Sequence, residues 1–321
     1  MEMVAGEMSV SAKVYEDDRR LLWGLCYRMT GNAADAEDLV QETFVRALEK
    51  PPRRSHEPLR PWLVRVAMNL SRDLLRRRKV RGYTGEWLPS PVSTDEESLA
   101  SYEPPAPSSD SPATRYDMVE SVSFAFLLAL EALTPSQRAV LILRDVFDYS
   151  TVETGEALGI SEASVKVMLH RARRRMLDYE GSRIPPAAGM GEKTRQAIDL
   201  FLYCLKTGDG EALESLLAED VVSLSDGGGE VAAAIRPVRG RNRVARLIQG
   251  LSKKVDGRLR ISFQNLNGLP SLVIETGVSQ AGFASRFTMH FDLDPEGRIR
   301  RLFTVLAPRK LSALERTAGL S

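Results

Sequence analysis

Residues 134–176 read TPSQRAVLILRDVFDYSTVETGEALGISEASVKVMLHRARRRM, and this stretch decides the fold of the central part of the chain. Thr134, Pro135 and Gln137 supply an N-cap, a proline at the first helical position and a glutamine at N3, the elements of a capping box. The apolar run after them continues that helix. A second helix then leads into Gly159, a turn, and Ser161 caps a third with Glu162 in its first turn. Val165, Leu169, Ala172 and Met176 follow a three-four-three spacing and should face the core. The opposite face carries Lys166, His170, Arg171 and Arg174, flanked by Arg173 and Arg175. Helix, glycine turn and basic helix together predict a helix-turn-helix, whose last helix fits the major groove of duplex DNA. Thr154 and Gly155 lower the helix propensity just before the turn, Gly by about 1 kcal/mol relative to Ala.

Working toward the N-terminus, residues from Lys13 to about Lys79 are helical in pattern, with Gly31 as a helix end and Asn32 as the next N-cap. The helix from Asn32 to Leu48 is amphipathic. Leu39, Val40, Phe44 and Leu48 form its apolar stripe, and Asp35, Glu37, Asp38, Gln41 and Glu42 its acidic start. Prolines 51, 52, 58 and 61 impose a loop. A helix beginning at Trp62 then crowds Arg72, Arg76, Arg77, Arg78, Lys79 and Arg81 into its far end. Basic groups and an aromatic beside a loop suit single-stranded nucleic acid, held by backbone charge and stacking. Residues 92–114, rich in Ser, Pro and acid, predict a flexible acidic linker.

Toward the C-terminus, residues 181–191 form a second linker, and the pattern then changes. Two helices flank Thr207-Gly208-Asp209, a helix covers Asn242 to Lys254, and strands are expected at Val221–Ser225, Leu259–Phe263, Leu272–Glu275, Phe283–Leu293 and Ile299–Leu306. Asp294 to Gly297 makes the last hairpin. Helices first and strands later imply a separate α+β domain.

Composition bounds the function. The 321 residues suffice for two or three domains, and the formal net charge of +1 places any nucleic-acid contact in local patches. Cys26 and Cys204, the two cysteines, lie in apolar helical patterns and read as reduced core thiols. No signal peptide or membrane span is evident, so a cytoplasmic protein is expected. No metal-ligand spacing, nucleophile elbow or phosphate loop appears. His290 and Asp292 share one face of a strand, an arrangement met more often as a structural pair than as a catalytic dyad. Neither catalysis, cofactor nor metal is expected.

The order of these unlike motifs resembles the extracytoplasmic-function group of sigma-70 family factors over residues 15–178. The motifs are the acidic helix DAEDLVQETFVRAL, the proline loop, PWLVRVAMNLSRDLLRRR, a linker, and LTPSQRAVLILRDVFDYS with the helix-turn-helix. The resemblance implies that Asp35, Asp38, Gln41 and Glu42 dock on the β′ clamp of core RNA polymerase. It implies that the loop Pro51 to Pro61, with Trp62, Asn69, Arg72, Arg76 and Arg77, captures unpaired bases of the −10 element. Lys166, His170, Arg171 and Arg174 would read the −35 element as duplex while the same domain meets the polymerase β flap. The C-terminal part resembles SnoaL-like, NTF2-like cone domains. Trp87-Leu88-Pro89-Ser90-Pro91 and Asp226-Gly227-Gly228-Gly229-Glu230 are similar to paired motifs of the sigma subgroup that carries such an extension, and Ala307 to Leu311 matches a third motif in part. In that subgroup the extension is implied to regulate the sigma core in cis.

The expected organisation is therefore a region 2 type helical domain (13–81), an acidic linker (82–115), a region 4 type domain (116–180), a short linker (181–192) and a SnoaL-like α+β domain (193–321). The alternative is a helix-turn-helix regulator whose C-terminal domain senses a small ligand. A SnoaL-type enzyme fused to a DNA-binding module is a third reading, with only His290 and scattered carboxylates to support it.

Overall fold

A computed structural model describes residues 18–49, 59–83, 85–95, 115–182, 190–253, 259–276 and 282–314. The chain divides into two compact units, Met1–Arg81 with Glu96–Arg183, and Gly82–Asp95 with Ile184–Ser321. Most of the proline loop (residues 51–58) and most of the acidic linker (96–114) lie outside the described residues, as do residues 183–189 of the second linker.

The first unit is helical. Helix α1 (residues 18–30) ends at Gly31, whose φ is +63°, and α2 (Ala33–Glu49) starts with the Asn32 Oδ1 accepting the amides of Ala34 and Asp35. Helix α3 spans Leu59–Arg81. Leu22, Leu25, Cys26, Met29, Ala36, Val40, Leu63, Ala67 and Met68 make the core of this part. Burial pushes the Cys26 thiol up to about 12, so it stays protonated as an inert core group. One apolar assignment fails: Leu48, expected in the buried stripe, is 86% exposed.

The rest of this unit comprises α4 (Phe124–Leu130), α5 (Pro135–Leu141) running into a π-turn, α6 (Thr151–Leu158), α7 (Glu162–Arg175) and α8 (Leu177–Ser182). Capping boxes at Thr134 and Ser150 start α5 and α6, and the Ser161 hydroxyl caps α7. Gly155 is no weak point. A Cβ there would stand 2.8 Å from the Ile160 carbonyl oxygen, so the helix-turn-helix needs glycine for its close turn. The helical segments from both sides of the acidic linker share this unit. Arg28, fully buried, donates to the Ser121 hydroxyl at 2.7 Å and the Met118 carbonyl at 3.0 Å. Arg138 donates to the Met29 carbonyl at 2.8 Å.

In the second unit α9 (Met190–Thr207) and α10 (Gly210–Leu216) precede β1 (Leu217–Asp226) and β2 (Val238–Arg239). Helix α11 (Arg241–Ser252) and β3 (Leu259–Leu266), β4 (Leu269–Thr276), β5 (Arg286–Leu293) and β6 (Ile299–Val305) follow. The sheet order is β2-β1-β6-β5-β4-β3, with β1 and β6 parallel and the other pairs antiparallel. Leu272, Ile274, Phe291, Leu293 and Leu302 on one sheet face pack with Ile198, Phe201, Val244 and Ile248 of the helices. This is the α+β arrangement expected. Strand β5 begins three residues later than the sequence pattern alone suggests, whereas β3 and β4 run longer, because Asn267 (φ +53°) and Gly268 (φ +83°) turn β3 straight into β4. Such a pair fits the left-handed positions of a type I′ hairpin.

Residues 85–95, read from sequence with the linker, belong to this unit instead. Ser93 bridges Leu266, the Thr94 amide donates to the Asn265 carbonyl at 2.8 Å, and the Asn267 amide donates to the Val92 carbonyl at 3.0 Å. Leu88 and Val92 are buried, and burial of such side chains is worth about 1.5–3 kcal/mol each. The acidic, serine-rich composition begins only after this strap.

Candidate nucleic-acid and regulatory sites

On α2, Asp38, Gln41 and Glu42 are exposed while Asp35 is half-buried. Glu42 pairs with Arg46 one turn on, at 2.8 Å, a surface pair that contributes little to stability. Asp38, Gln41, Val45 and Leu48 follow one another at helical spacing, all exposed, so the acidic surface runs into an apolar one. The exposed Leu48 thus joins this surface rather than a core.

Along α3, Trp62, Arg65, Asn69, Arg72 and Arg76 recur at three- and four-residue steps and share one stripe. Arg77 lies off it by one residue step. Arg65, not singled out by the sequence pattern, donates to the Glu156 carbonyl at 3.1 Å. Arg72 donates to the Leu158 carbonyl and to Asn69 Oδ1, each at 3.3 Å. Burial, with Arg76 beside it, lowers the Arg72 guanidinium from its ordinary range. Arg76 pairs with Asp73 at 2.8 Å. At Arg65 and Arg72 the stripe therefore lies against the last turn of α6, their charge met by carbonyl oxygens.

Helix α7 displays Lys166, His170, Arg171 and Arg174 on one exposed face, with Val165, Ala172 and Met176 buried behind it. Its flanking arginines are structural. Arg173 forms a bidentate pair with the buried Asp145 at 2.6 and 2.9 Å, and Arg175 donates to the Ala132 carbonyl. The four outward groups span about two turns, which suits the depth and width of a major groove.

In the second unit the two linker-and-glycine motifs meet around one carboxylate. Asp226, only 1% exposed, ends β1. Its Oδ1 accepts the Tyr83 hydroxyl at 2.6 Å and the Gly228 amide at 2.9 Å, and its Oδ2 accepts the Leu88 amide at 2.8 Å and Lys310 Nζ at 2.6 Å. Lys310 Nζ also donates to the Leu88 carbonyl at 2.5 Å. It lies 4.8 Å from the Tyr83 ring centre and 4.6 Å from that of Trp87, within cation–π range. A buried ammonium is thus met by a carboxylate, a carbonyl and two ring faces. Pro89 is buried next to Leu88.

Gly227 and Gly228 leave no room for a side chain. A Cβ on Gly227 would stand 2.3 Å from the Val231 carbonyl oxygen, and one on Gly228 (φ +65°) 2.9 Å from Ala307 Cβ. They let the loop fold tightly on itself and on Ala307, which brings Lys310 to Asp226; Trp87 faces the lysine. Gly229 is exposed, with φ +75°. Sequence reasoning misses Lys310 as a site residue, although the partial motif Ala307 to Leu311 contains it.

His290 and Asp292 have separate partners. His290 Nδ1 is 2.9 Å from the Ser271 hydroxyl, and Nε2 is 2.9 Å from that of Thr288. Ser271 donates to the Leu269 carbonyl, so the network is satisfied with the ring proton on Nδ1. Burial pushes the His290 imidazole down to about 3. Asp292 pairs with Arg300 and Arg301. Among the described residues no three His, Cys, Asp or Glu side chains converge as a metal site, and no helix is long and apolar enough to cross a membrane.

A helical unit with an exposed acidic-apolar surface and two basic helices, one in a helix-turn-helix, defines a promoter-recognition subunit of the sigma type. Comparison with known proteins agrees. The models for Sigma-70 region 2 and Sigma-70 region 4 match residues 14–81 and 123–176. The chain is 33% identical over 245 residues to ECF RNA polymerase sigma factor SigJ of Mycobacterium tuberculosis, covering 75% of this chain and 72% of that protein. It is 39% identical over 180 residues to SigG of the same species, covering 53% and 48%. The crystal structure of SigJ superposes with a TM-score of 0.68 at 28% identity, covering 93% of this chain and 97% of that one. The chain belongs to the extracytoplasmic-function group of the sigma-70 family.

Proposed function

We propose that this sigma factor docks on the β′ clamp of core RNA polymerase through Asp35, Asp38, Gln41 and Glu42, with Val45 and Leu48 as apolar anchors. Lys166, His170, Arg171 and Arg174 read the −35 duplex, with the same domain on the β flap. Trp62, Asn69, Arg72, Arg76 and Arg77, joined by Arg65, hold the opened −10 element. The SnoaL-like C-terminal domain regulates these steps in cis, in the cytoplasm where the polymerase works. The observation that carries the regulatory reading is the strap. The Asp226–Lys310 pair takes residues 82–95 out of the tether between the two DNA-binding helices and leaves residues 96–114 to span it. A shorter tether limits how far those helices can separate, so release of the strap favours the spread form that a promoter requires. The test is in vitro transcription with core polymerase. Reversing Asp38 and Glu42 to Lys abolishes co-purification with core, and Trp87→Ala, which loosens the strap, raises promoter output without altering core binding. Unchanged core binding in the first variant sinks the docking assignment, and unchanged output in the second sinks regulation through the strap.

A further inference from the structure

Helix α11 is built against its own dipole. Its first turn holds no acid, and arginines stand at positions 239, 241 and 243 around its start, where the positive end of the helix disfavours them. Arg236 adds a fifth arginine to the run from 236 to 246. Of the five, Arg241 is tied to another element of its domain, donating to the Leu217 carbonyl at 3.0 Å.

The others point outward. Arg236, Arg239, Arg243 and Arg246 are exposed, and so is Lys253 just beyond the helix. Among the described residues none of them has a carboxylate partner, and Arg246 reaches only the Asn242 carbonyl of its own helix, at 3.1 Å. Arg243, Arg246, Gly250 and Lys253 recur at three-four-three spacing, opposite the buried Val244, Ala245 and Ile248. The stripe is about 15 Å long at 1.5 Å per residue. At its centre Gly250 is exposed with open space around its Cβ position, which weakens the helix but lets a partner approach the backbone. Such a surface costs the free protein stability and gives it no contact in return.

The chemistry selects the occupant. Guanidinium groups match phosphate oxygens by bidentate hydrogen bonding, and none of the stripe positions is an apolar anchor of the kind a bound peptide uses, the exposed Leu251 lying off the stripe. A duplex presents one phosphate per about 3.4 Å on each strand, so the stripe can lie beside about four of them. The tether keeps such a duplex near, since the eight steps from Ser182 to Met190 reach at most about 28 Å. We infer that Arg243, Arg246 and Lys253, supported by Arg236 and Arg239, bind the phosphate backbone of promoter duplex flanking the −35 element, without regard to sequence. This rests on the promoter-binding reading and adds a third DNA contact, located in the C-terminal domain.

The experiment uses the full chain with core polymerase and two promoter fragments. One ends at the upstream edge of the −35 element, and the other extends about two helical turns further. Affinity is measured against salt for the native chain, for R243Q/R246Q/K253Q and for R243K/R246K. Each phosphate contact contributes about 0.9 to the slope of log affinity against log salt. The Gln variant should flatten that slope by about 2–3 on the long fragment and leave the short one unchanged, and the Lys variant, which keeps the charge, should retain the native slope. Equal slopes on the long fragment, or equal loss on both fragments, overturn the inference; the latter would place the stripe's partner within the protein. Arg171→Ala should weaken both fragments. Were it silent on both, promoter binding by α7 would fall and the stripe's role with it, whereas a silent stripe beside an active Arg171 overturns the stripe alone.

Discussion

Removing the ammonium from the Asp226 site by Lys310→Met tests what holds the strap. The side chains of Lys310 and Asp226 are 5% and 0% exposed, so the change leaves a buried carboxylate without its counter-charge. Breaking one side of a buried pair costs about 3–5 kcal/mol. Here three neutral donors remain, from Tyr83, Leu88 and Gly228, which places the loss toward the lower bound. The Leu88 carbonyl also loses the Lys310 donor. At about 1.4 kcal/mol per power of ten, 3 kcal/mol moves the strap's opening equilibrium by roughly two powers of ten. The assay is hydrogen exchange at the Leu88 amide, whose acceptor is Asp226 Oδ2. Exchange should accelerate about a hundredfold in Lys310→Met. It should recover by at least half when Asp226→Asn is added, because the second change removes the stranded charge. Exchange within about twofold of the native rate in the single variant would show that the pair does not seat the strap, and additive effects in the double variant would refute the charge argument.

Two further outcomes follow from other parts of the fold. His290 titrates near 3 in the folded chain against 6.5 for the free side chain, so below pH 6.5 the unfolded state takes up a proton that the folded state refuses. Stability from this group is full above pH 6.5 and falls on acidification toward pH 3, by up to on the order of 5 kcal/mol; urea melts between pH 7 and 4 should show the fall, and a His290→Asn variant should flatten it. Gly155→Ala should destabilise the helical unit by about 1–2 kcal/mol, the collision with the Ile160 carbonyl exceeding the propensity gain. A melting temperature equal to or above the native one would show that the turn has room for a methyl group.

The helix-turn-helix was legible in the sequence because its determinants are local. A capping residue, its partner three positions on and a glycine turn lie within a few residues of one another, and the dipole and spacing rules apply to them directly. Leu48 was misplaced because periodicity identifies a face without saying whether a partner covers it at the helix end. Strand limits were blurred for another reason: the Asn267-Gly268 pair is a strong hairpin signal, and taking it as a turn would have extended β3 and β4 to meet. The strap was legible only as the motif Trp87 to Pro91 paired with Asp226 to Glu230; its seat on the β3–β4 hairpin was not. Its acidic, proline-flanked setting resembles free linker, and what fixes it is a bridge to Leu266 and a lysine more than two hundred residues later. Arg65 was hidden for a similar reason, since its acceptor is a backbone carbonyl.

That distance along the chain has a consequence for synthesis. Residues 82–95 leave the ribosome long before Lys310 exists to hold them. At about 5–20 residues per second, the strap waits roughly 10–40 s for its seat while both DNA-binding helices have already been made. Each newborn molecule therefore passes through an interval in which its helical unit is present and its strap is unseated. Translation speed between α8 and Lys310 sets the length of that interval.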